Sequence, residues 1–384
     1  MRVLFTAYGA HGHVLPLIGL ARALAAQGHD SLFATASNFC PLVASYGIAT
    51  AEAGMTDDAA VAEARRRWPE TASAPPAAWT TRMFCEIAAP AMAADLGPLV
   101  SRWRPDVVVR EEGEHGGALA AAVAGLPWVT HGWGSPLSSP EEAVEVGRLL
   151  DPAWQRAGLQ PPGGAALYGS AVLDPCPPSL YVDFPTMPDR HVVRPSSPAR
   201  MTAATRLRSQ GRPLAYVGFG TVPLFRDVPA LIHAVVSALL ARDFDVTVTS
   251  GSDQLARELR ANDRERVHVE RWVDLPTLLQ LCSVVVCHGG AGTVLSALAA
   301  GLPLLLTPLG APSQVRMSAA CQARGVGRVV VWNGNNADEI GDALSEVTSS
   351  RRIAAAARSV AREMAAMPDP STAAAVLDAV VSGA

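Results

Sequence analysis

The ten residues from Val284 to Thr293, with the sequence VVVCHGGAGT, join an apolar run to a glycine-rich turn. An apolar run that ends in glycines and leads into an amphipathic segment is typical of a buried parallel strand followed by a helix. The glycines let successive backbone N–H groups point at one place, and the start of a helix favours anions. We therefore predict a phosphate site here, formed by backbone groups around Gly290 and Gly292, the Thr293 hydroxyl and the His288 side chain.

The alternation of apolar runs and amphipathic segments extends through the second half of the chain. Strands are predicted at 214–217, 245–249, 267–269, 284–287, 304–306 and 328–331, and helices at 228–240, 275–281, 292–300 and 313–324. The first of these strands ends in a second glycine-rich turn, where Gly220 and Thr221 offer further backbone and hydroxyl donors. Trp272, after the third strand, could stack on a nucleobase, although a core tryptophan is the alternative.

The first half has the same alternation. Strands are predicted at 2–7, 31–35, 106–109 and 128–130, helices at 15–27 and 116–124, and irregular surface loops at 52–76 and 161–178. The predicted fold class is α/β, with two Rossmann-like parallel-sheet domains facing each other across a cleft and ligands at the carboxyl ends of strands. The expected boundaries are 1–195, a linker at 196–212, 213–365, and a C-terminal helix at 366–384 that could pack back on the first domain.

The first predicted strand leads into the turn 8–16, YGAHGHVLP, which carries two histidines. The turn lacks the GxGxxG fingerprint, and no acid ends the second strand to bind a ribose, so a nicotinamide dehydrogenase is disfavoured. A helix N-terminus disfavours imidazolium and so keeps a histidine neutral and able to accept a proton. His13, nearer the helix than His11, is the predicted general base for a hydroxyl, and a structural histidine is the alternative.

Three acids follow the strand predicted at 106–109, in the sequence REEGE of residues 110–114. A catalytic histidine usually works with a carboxylate that fixes its tautomer and stabilises the imidazolium. Glu111 comes first after the strand and is the preferred partner of His13, and Glu114 comes next. The choice among these two and Glu112 stays open at this point.

Composition excludes several chemistries. All 31 basic residues are arginine and stand against 35 acidic residues, for a net charge of −4. Without lysine there is no Schiff-base, P-loop or general-base lysine, and the near-neutral balance argues against nucleic-acid and anionic membrane partners. The six cysteines form no CxxC pair, which predicts neither a zinc site nor a disulfide framework. With no signal-peptide pattern and no apolar run of about 18–20 residues, we expect a cytoplasmic protein.

The stretch from Arg271-Trp272-Val273 to Gly301-Leu302-Pro303, continued by residues 308–327, resembles the donor-binding signature of family 1 nucleotide-sugar glycosyltransferases. The HGHVLP turn resembles the acceptor-side motif of the same family, in particular of the bacterial members that modify polyketides and other natural products. The resemblance covers essentially the whole chain. It implies the GT-B architecture, with an N-terminal acceptor domain, a C-terminal donor domain and an inverting, metal-independent mechanism without a cofactor.

The resemblance also implies roles for single residues. His13 would deprotonate the acceptor hydroxyl, with Glu111 where the family commonly has Asp. Donor contacts would come from Trp272 and Val273 at the base, and from His288, Gly290, Gly292, Thr293, Gly220 and Thr221 at the diphosphate. The family often places an Asp-Gln pair on the sugar hydroxyls, whereas this chain has Ser313-Gln314. Because the carboxylate acceptor is missing, we hypothesise a deoxysugar donor with fewer hydroxyls, linked to dTDP.

The expected acceptor is a hydrophobic small molecule, bound by residues of the first domain. The candidate acceptor contacts are His11, Gly12, Trp79, Phe84 and Trp133, with Trp68 as a further possible wall. For each of the three tryptophans, core packing or an exposed position on a loop is the alternative. Two alternatives remain: a sugar-nucleotide 2-epimerase-like enzyme on the same fold, and a non-catalytic sugar-nucleotide-binding protein. The sequence leaves open the acceptor, the sugar, dTDP or UDP, the O-, N- or C-linkage, and whether the protein forms a homodimer.

Overall fold

The computed structural model describes residues 1–163, 167–181, 189–196, 211–220, 229–263 and 265–383. These residues form two compact units. The first unit contains the described residues up to Cys176, residues 189–196 and the segment from Met367 onward, and the second contains 177–181 and the described residues from 211 to Ala366. Most of the expected linker, residues 197–210, lies outside the described residues.

The first unit is built on a parallel sheet. Its strands are β1 Arg2–Thr6, β2 Asp30–Thr35, β3 Ala49–Glu52, β4 Val107–Glu111, β5 Trp128–His131, β6 Ala171–Asp174 and β7 Arg190–Val192. Their order in the sheet is β3-β2-β1-β4-β5-β6-β7, with every neighbouring pair parallel. The helices are α1 His11–Ala26, α2 Cys40–Ala44, α3 Asp57–Arg67, α4 Thr80–Met83, α5 Ala89–Trp103, α6 Gly116–Val123 and α7 Pro140–Arg156.

The second unit repeats this plan. Its strands are β8 Leu214–Gly218, β9 Asp245–Thr249, β10 Val267–Glu270, β11 Cys282–Cys287, β12 Leu304–Leu306 and β13 Gly327–Val329, in the parallel order β10-β9-β8-β11-β12-β13. Its helices are α8 Pro229–Leu240, α9 Asp253–Asn262, α10 Leu275–Leu279, α11 Ala291–Ala299, α12 Pro312–Arg324, α13 Ala337–Ser349 and α14 Arg351–Ala366. The prediction of two parallel-sheet α/β domains is confirmed.

Burial on both faces explains why the strands are continuous apolar runs. Along β1, Val3 and Phe5 pack into a core cluster on one face of the sheet, while Leu4 packs into the cluster on the other face. A last helix, α15 (Ala373–Ser382), contributes Leu377 to the same cluster as Phe5, so the chain end belongs to the core of the first unit. These layers hold the carboxyl ends of β1 and β4 side by side.

Two stretches expected to be irregular contain regular structure. Helix α3 lies within 52–76, where the Thr56 side chain accepts a hydrogen bond from Ala59 N at 3.3 Å. Asp57 and Asp58 begin this helix and three arginines end it, which matches the helix dipole at both ends. Strand β6 lies within 161–178. The polarity of the first stretch obscures its helix, and the prolines around β6 obscure the strand in the second.

Helix α1 begins at His11, earlier than the expected start at residue 15, so both histidines of the turn lie in its first turn. A second difference concerns membrane-length helices: the helical segment Thr80–Trp103 has 24 residues and is long and apolar enough to cross a membrane, contrary to expectation. Half of its apolar 18-residue window is buried inside the protein, and its α5 part packs against α6. The buried core helix of a soluble protein can have the same length and apolar composition, so these two properties alone are weak evidence for a membrane span.

Candidate active site

His13 lies in the first turn of α1, directly beyond the carboxyl end of β1. Its Nδ1 is 2.8 Å from Oε1 of Glu111, the last residue of β4. The His13 side chain is 15% exposed, whereas that of Glu111 is fully buried. Since Nδ1 is used by the carboxylate, Nε2 is the ring nitrogen left for a substrate proton.

Four groups hold the Glu111 carboxylate. Oε2 accepts hydrogen bonds from the backbone N–H of Gly113 and from Nε1–H of Trp133, each at 2.6 Å. Oε1 faces His13 and also accepts a longer bond, 3.4 Å, from Tyr8 N. Burial alone would raise the pKa of Glu111, but the charge and hydrogen bond of His13, with the Gly113 and Trp133 donors, lower it to about 2. The carboxylate is therefore ionised at neutral pH.

The same pairing acts on His13 in the opposite direction. Burial lowers the pKa of His13, but the charge and hydrogen bond of Glu111, with the charges of Asp57 and Glu112, raise it above the ordinary value of 6.5. The pairing with Glu111 thus shifts the pKa of His13 in the direction opposite to that expected from the helix N-terminus. A buried carboxylate at hydrogen-bond distance outweighs the partial charge of a helix end.

The other two acids of residues 110–114 have different surroundings. Glu114 accepts hydrogen bonds from the Thr6 hydroxyl at 2.5 Å and from the backbone N–H groups of Gly116 and Gly117 at 2.5 and 2.9 Å, so it caps the start of α6. Glu112 is buried, and its Oε2 accepts from Trp133 N at 3.4 Å. The hydrogen bond to His13 thus comes from Glu111, the preferred residue of the three.

The fully buried Arg110 side chain holds the backbone of residues 111–114 through hydrogen bonds. Its Nη1 donates to the carbonyl oxygens of Glu111, Glu112 and Glu114 at 3.1, 2.8 and 3.1 Å, and its Nη2 donates to that of Leu167 at 2.8 Å. One planar guanidinium therefore fixes the backbone that carries all three acids.

Aromatic rings surround His13. The ring centroids of Trp133, Tyr8 and Phe84 lie 5.1, 5.5 and 5.7 Å from that of His13. Phe84 and Trp133, both predicted acceptor contacts and both half-buried, thus lie beside His13. Among the other candidate acceptor residues, Gly12 is exposed and His11 packs its ring edge-on against Phe39 at 4.9 Å.

Trp79 and Trp68 differ from the expectation that they wall an open pocket. Their side chains are 5% and 7% exposed, and the guanidinium of Arg82 covers the Trp68 ring at 4.1 Å. Both indoles are therefore packed inside the unit. Large apolar rings on amphipathic helical segments are buried because burial removes the most apolar surface from water.

Sequence reasoning missed the pair formed by Tyr8 and Asp57. The Tyr8 hydroxyl donates to Asp57 Oδ1 at 2.8 Å, and the Tyr8 ring packs edge-on against Phe84 at 4.9 Å. Burial and the Asp57 charge raise the pKa of Tyr8, so it stays a neutral donor. A capping pattern could have indicated Asp57: Thr56 is the N-cap of α3, and Asp57 is the first residue of that helix.

In the second unit, His288 directly follows β11 and its side chain lies between two glycines. A Cβ on Gly220 would be 2.9 Å from His288 Cε1, and a Cβ on Gly290 would be 2.5 Å from its Nε2. Gly289 has φ +82°, and Gly290 is the N-cap of α11. Burial lowers the pKa of His288 to about 4, so this ring is neutral at physiological pH.

The remaining donor candidates are placed as follows. Gly292 is exposed in the first turn of α11, where an added Cβ would have nothing within 4 Å, and Thr293 beside it is half-buried. Ser313 is half-buried in the first turn of α12, and Gln314 Oε1 accepts from Leu309 N at 3.0 Å. Trp272 is half-buried and Val273 buried between β10 and α10. Thr221 lies outside the described residues.

No three His, Cys, Asp or Glu side chains gather into a metal-binding group in the described part of the chain. The chemistry of the first unit lies in the ionised Glu111 carboxylate and His13. The second offers neutral donors at a helix start.

Comparison with known proteins gives concordant results. The erythromycin biosynthesis protein CIII-like N-terminal domain matches residues 22–192, and the C-terminal domain of the same description matches residues 234–380. The chain is 30% identical to the L-demethylnoviosyl transferase of Streptomyces niveus, over 97% of this chain and 96% of that protein. It is 31% identical to the elloramycin glycosyltransferase ElmGT of Streptomyces olivaceus, over 98% and 97%.

Among solved structures, the glycosyltransferase SsfS6 of Streptomyces sp. SF2575, complexed with thymidine diphosphate, superposes with a TM-score of 0.77. It is 26% identical and the match covers 98% of this chain and 99% of SsfS6. The full-length relatives are transferases, in agreement with the predicted enzyme class. The chain therefore belongs to the family 1 glycosyltransferases of natural-product biosynthesis, enzymes with the GT-B fold.

Proposed function

We propose that this enzyme transfers a deoxysugar from thymidine diphosphate to a hydroxyl of a hydrophobic natural-product aglycone, with inversion at the anomeric carbon and His13 as general base. The observation that carries this proposal is the 2.8 Å contact between His13 Nδ1 and Glu111 Oε1. It leaves Nε2 without this contact on a partly exposed ring, whose imidazolium form is stabilised by a buried carboxylate.

The chemistry is a single displacement. His13 Nε2 takes the proton of the acceptor hydroxyl as its oxygen forms a bond to the anomeric carbon. The bond from that carbon to the diphosphate oxygen breaks, and the nucleoside diphosphate leaves with the electron pair. Glu111 stabilises the positive charge that develops on His13. One displacement from the face opposite the leaving group inverts the configuration.

The leaving diphosphate needs charge stabilisation, which we assign to the second unit. The backbone N–H groups at the start of α11 and the neutral His288 side chain supply donors there, without lysine. Binding of a thymidine nucleotide is supported by the SsfS6 complex with thymidine diphosphate.

The choice of sugar and acceptor rests on two observations. Ser313 stands where the family often has an aspartate that binds the sugar hydroxyls. The site therefore lacks one strong hydrogen-bond acceptor for those hydroxyls. The names of the relatives, a demethylnoviosyl transferase and an elloramycin glycosyltransferase, support an aglycone of the natural-product class as acceptor.

A donor panel tests the proposal. The enzyme is incubated with aromatic polyketide and macrolide aglycones and with dTDP-deoxysugars, dTDP-glucose or UDP-glucose, and products are detected by mass spectrometry. We expect new glycosides with the dTDP-deoxysugars, and NMR of the product anomeric centre should give the configuration opposite to that of the donor. A clear preference for UDP-glucose, or retention of configuration, would overturn the corresponding part of the proposal.

A further inference from the structure

Trp133 contacts both members of the His13–Glu111 pair. Its Nε1–H donates to Glu111 Oε2 at 2.6 Å, and its ring lies edge-on to the His13 imidazole, with centroids 5.1 Å apart and planes at 70°. An acceptor wall would need only the face of this ring. The indole N–H instead donates its hydrogen bond to the Glu111 carboxylate.

The neighbouring loop is shaped for this contact. A Cβ on Gly113 would lie 2.5 Å from Trp133 Cζ2 and 3.0 Å from its Cη2, so only glycine lets the indole lie close enough to Glu111. Gly113 also donates its own N–H to the same Oε2 at 2.6 Å. Oε2 thus receives two N–H donors while Oε1 faces His13, which fixes the plane of the carboxylate.

We propose that Trp133 is a positioning residue: its indole N–H fixes the Glu111 carboxylate and shares its negative charge, and so sets the orientation and base strength of His13. This inference rests on the proposed role of His13. It gives Trp133 a function in the proton transfer in addition to the acceptor contact that the sequence indicates.

The effect of removing the N–H has a definite sign. Without this donor, the Glu111 charge is concentrated toward His13 and stabilises the imidazolium more strongly. The charged or titratable groups that face His13 are Glu111 on β4, Asp57 on α3, Glu112 in the loop and the Tyr8 phenol. Of these, only Glu111 loses a side-chain hydrogen bond in Trp133→Phe. The base should therefore become neutral only at higher pH.

The test is the pH profile of kcat/KM for Trp133→Phe, with Trp154→Phe as matched control. Trp154 is equally an indole of the first unit, 3% exposed, and its Nε1 has no hydrogen-bond partner among the described residues. For Trp133→Phe we expect kcat at neutral pH to fall roughly tenfold, as for a lost hydrogen bond to a charged group, and the acidic limb to move to higher pH. Trp154→Phe should change neither kcat at neutral pH nor the position of the acidic limb.

The outcomes separate this inference from the proposed function. Undiminished turnover in His13→Ala would refute the base itself, whatever Trp133→Phe does. If His13→Ala is inactive but Trp133→Phe raises only the acceptor KM and leaves the acidic limb in place, Trp133 is an acceptor wall and the inference is overturned. Should Trp133→Phe not fold, benzothienylalanine at position 133 keeps the ring shape and replaces only the N–H by sulfur, and the same shift is expected.

Discussion

The two sheets place histidines at equivalent points and give them opposite properties. In each sheet the strand order reverses between two neighbours, β1 and β4 in the first and β8 and β11 in the second. His13 and Glu111 lie at the first of these points, and Gly220 and His288 lie at the second. The pKa of His13 is raised by Glu111, whereas burial lowers the pKa of His288 to about 4.

The fold therefore determines the position of each histidine, and the residues around it determine its chemistry. Strand ends at a switch point form a crevice in any open parallel sheet. A carboxylate there raises the pKa of the histidine and stabilises its imidazolium form. Burial at the glycine-rich turn keeps His288 neutral, with one N–H to donate, beside backbone N–H groups that favour an anion.

The largest expected effect comes from removing the first histidine. His13→Ala should lower kcat by about 10²–10⁴-fold, as general bases contribute in this range. Thymidine diphosphate binding, measured by calorimetry, should stay unchanged because its contacts are assigned to the other sheet. Loss of nucleotide binding together with activity would contradict this division of roles.

Glu111→Gln should make the first histidine resemble the second. Without the carboxylate charge the imidazolium loses its stabilisation, so the pKa of His13 falls and the acidic limb of the kcat/KM profile moves to lower pH. kcat should nevertheless fall on the order of 100-fold, because the charge that develops on His13 is no longer compensated. An acidic limb that stays in place would argue that another group titrates.

Gly290→Ala perturbs the second histidine. The new Cβ would be 2.5 Å from His288 Nε2, so the ring must move away from the start of α11. We expect the Kd of thymidine diphosphate to rise by about tenfold, the loss of one hydrogen bond to a charged group. Gly97→Ala on α5, where a Cβ meets nothing within 4 Å, is the control and should leave this Kd unchanged.

Local sequence patterns were enough to predict the parallel sheets, His13 at the end of β1 and the glycine turn at His288. Apolar runs and glycines carry that information within about ten residues. The preferred acid, Glu111, was found because carboxyl ends of adjacent strands meet, although its pairing with His13 spans 98 positions.

The remainder of the first site depends on contacts without a local signal. The Trp133–Glu111 bond joins residues 22 positions apart, and the Tyr8–Asp57 bond joins residues 49 apart. The direction of the pKa shift of His13 also has no local signal, because it depends on the charge and hydrogen bond of a residue 98 positions away. Glu114 was considered as a partner of His13, but its distance from the α6 start decided its role as a cap.

Arg110 makes it possible to assign the pH dependence of the rate to His13. Its guanidinium donates to four backbone carbonyls. Burial lowers the pKa of Arg110 from its ordinary value of 12.5, but an arginine keeps its charge over the range in which a histidine titrates. The backbone bearing Glu111 is therefore anchored by a group whose charge is constant while His13 titrates. A change of rate with pH near neutrality can then be assigned to the chemistry of the base and not to melting of the loop that carries its partner.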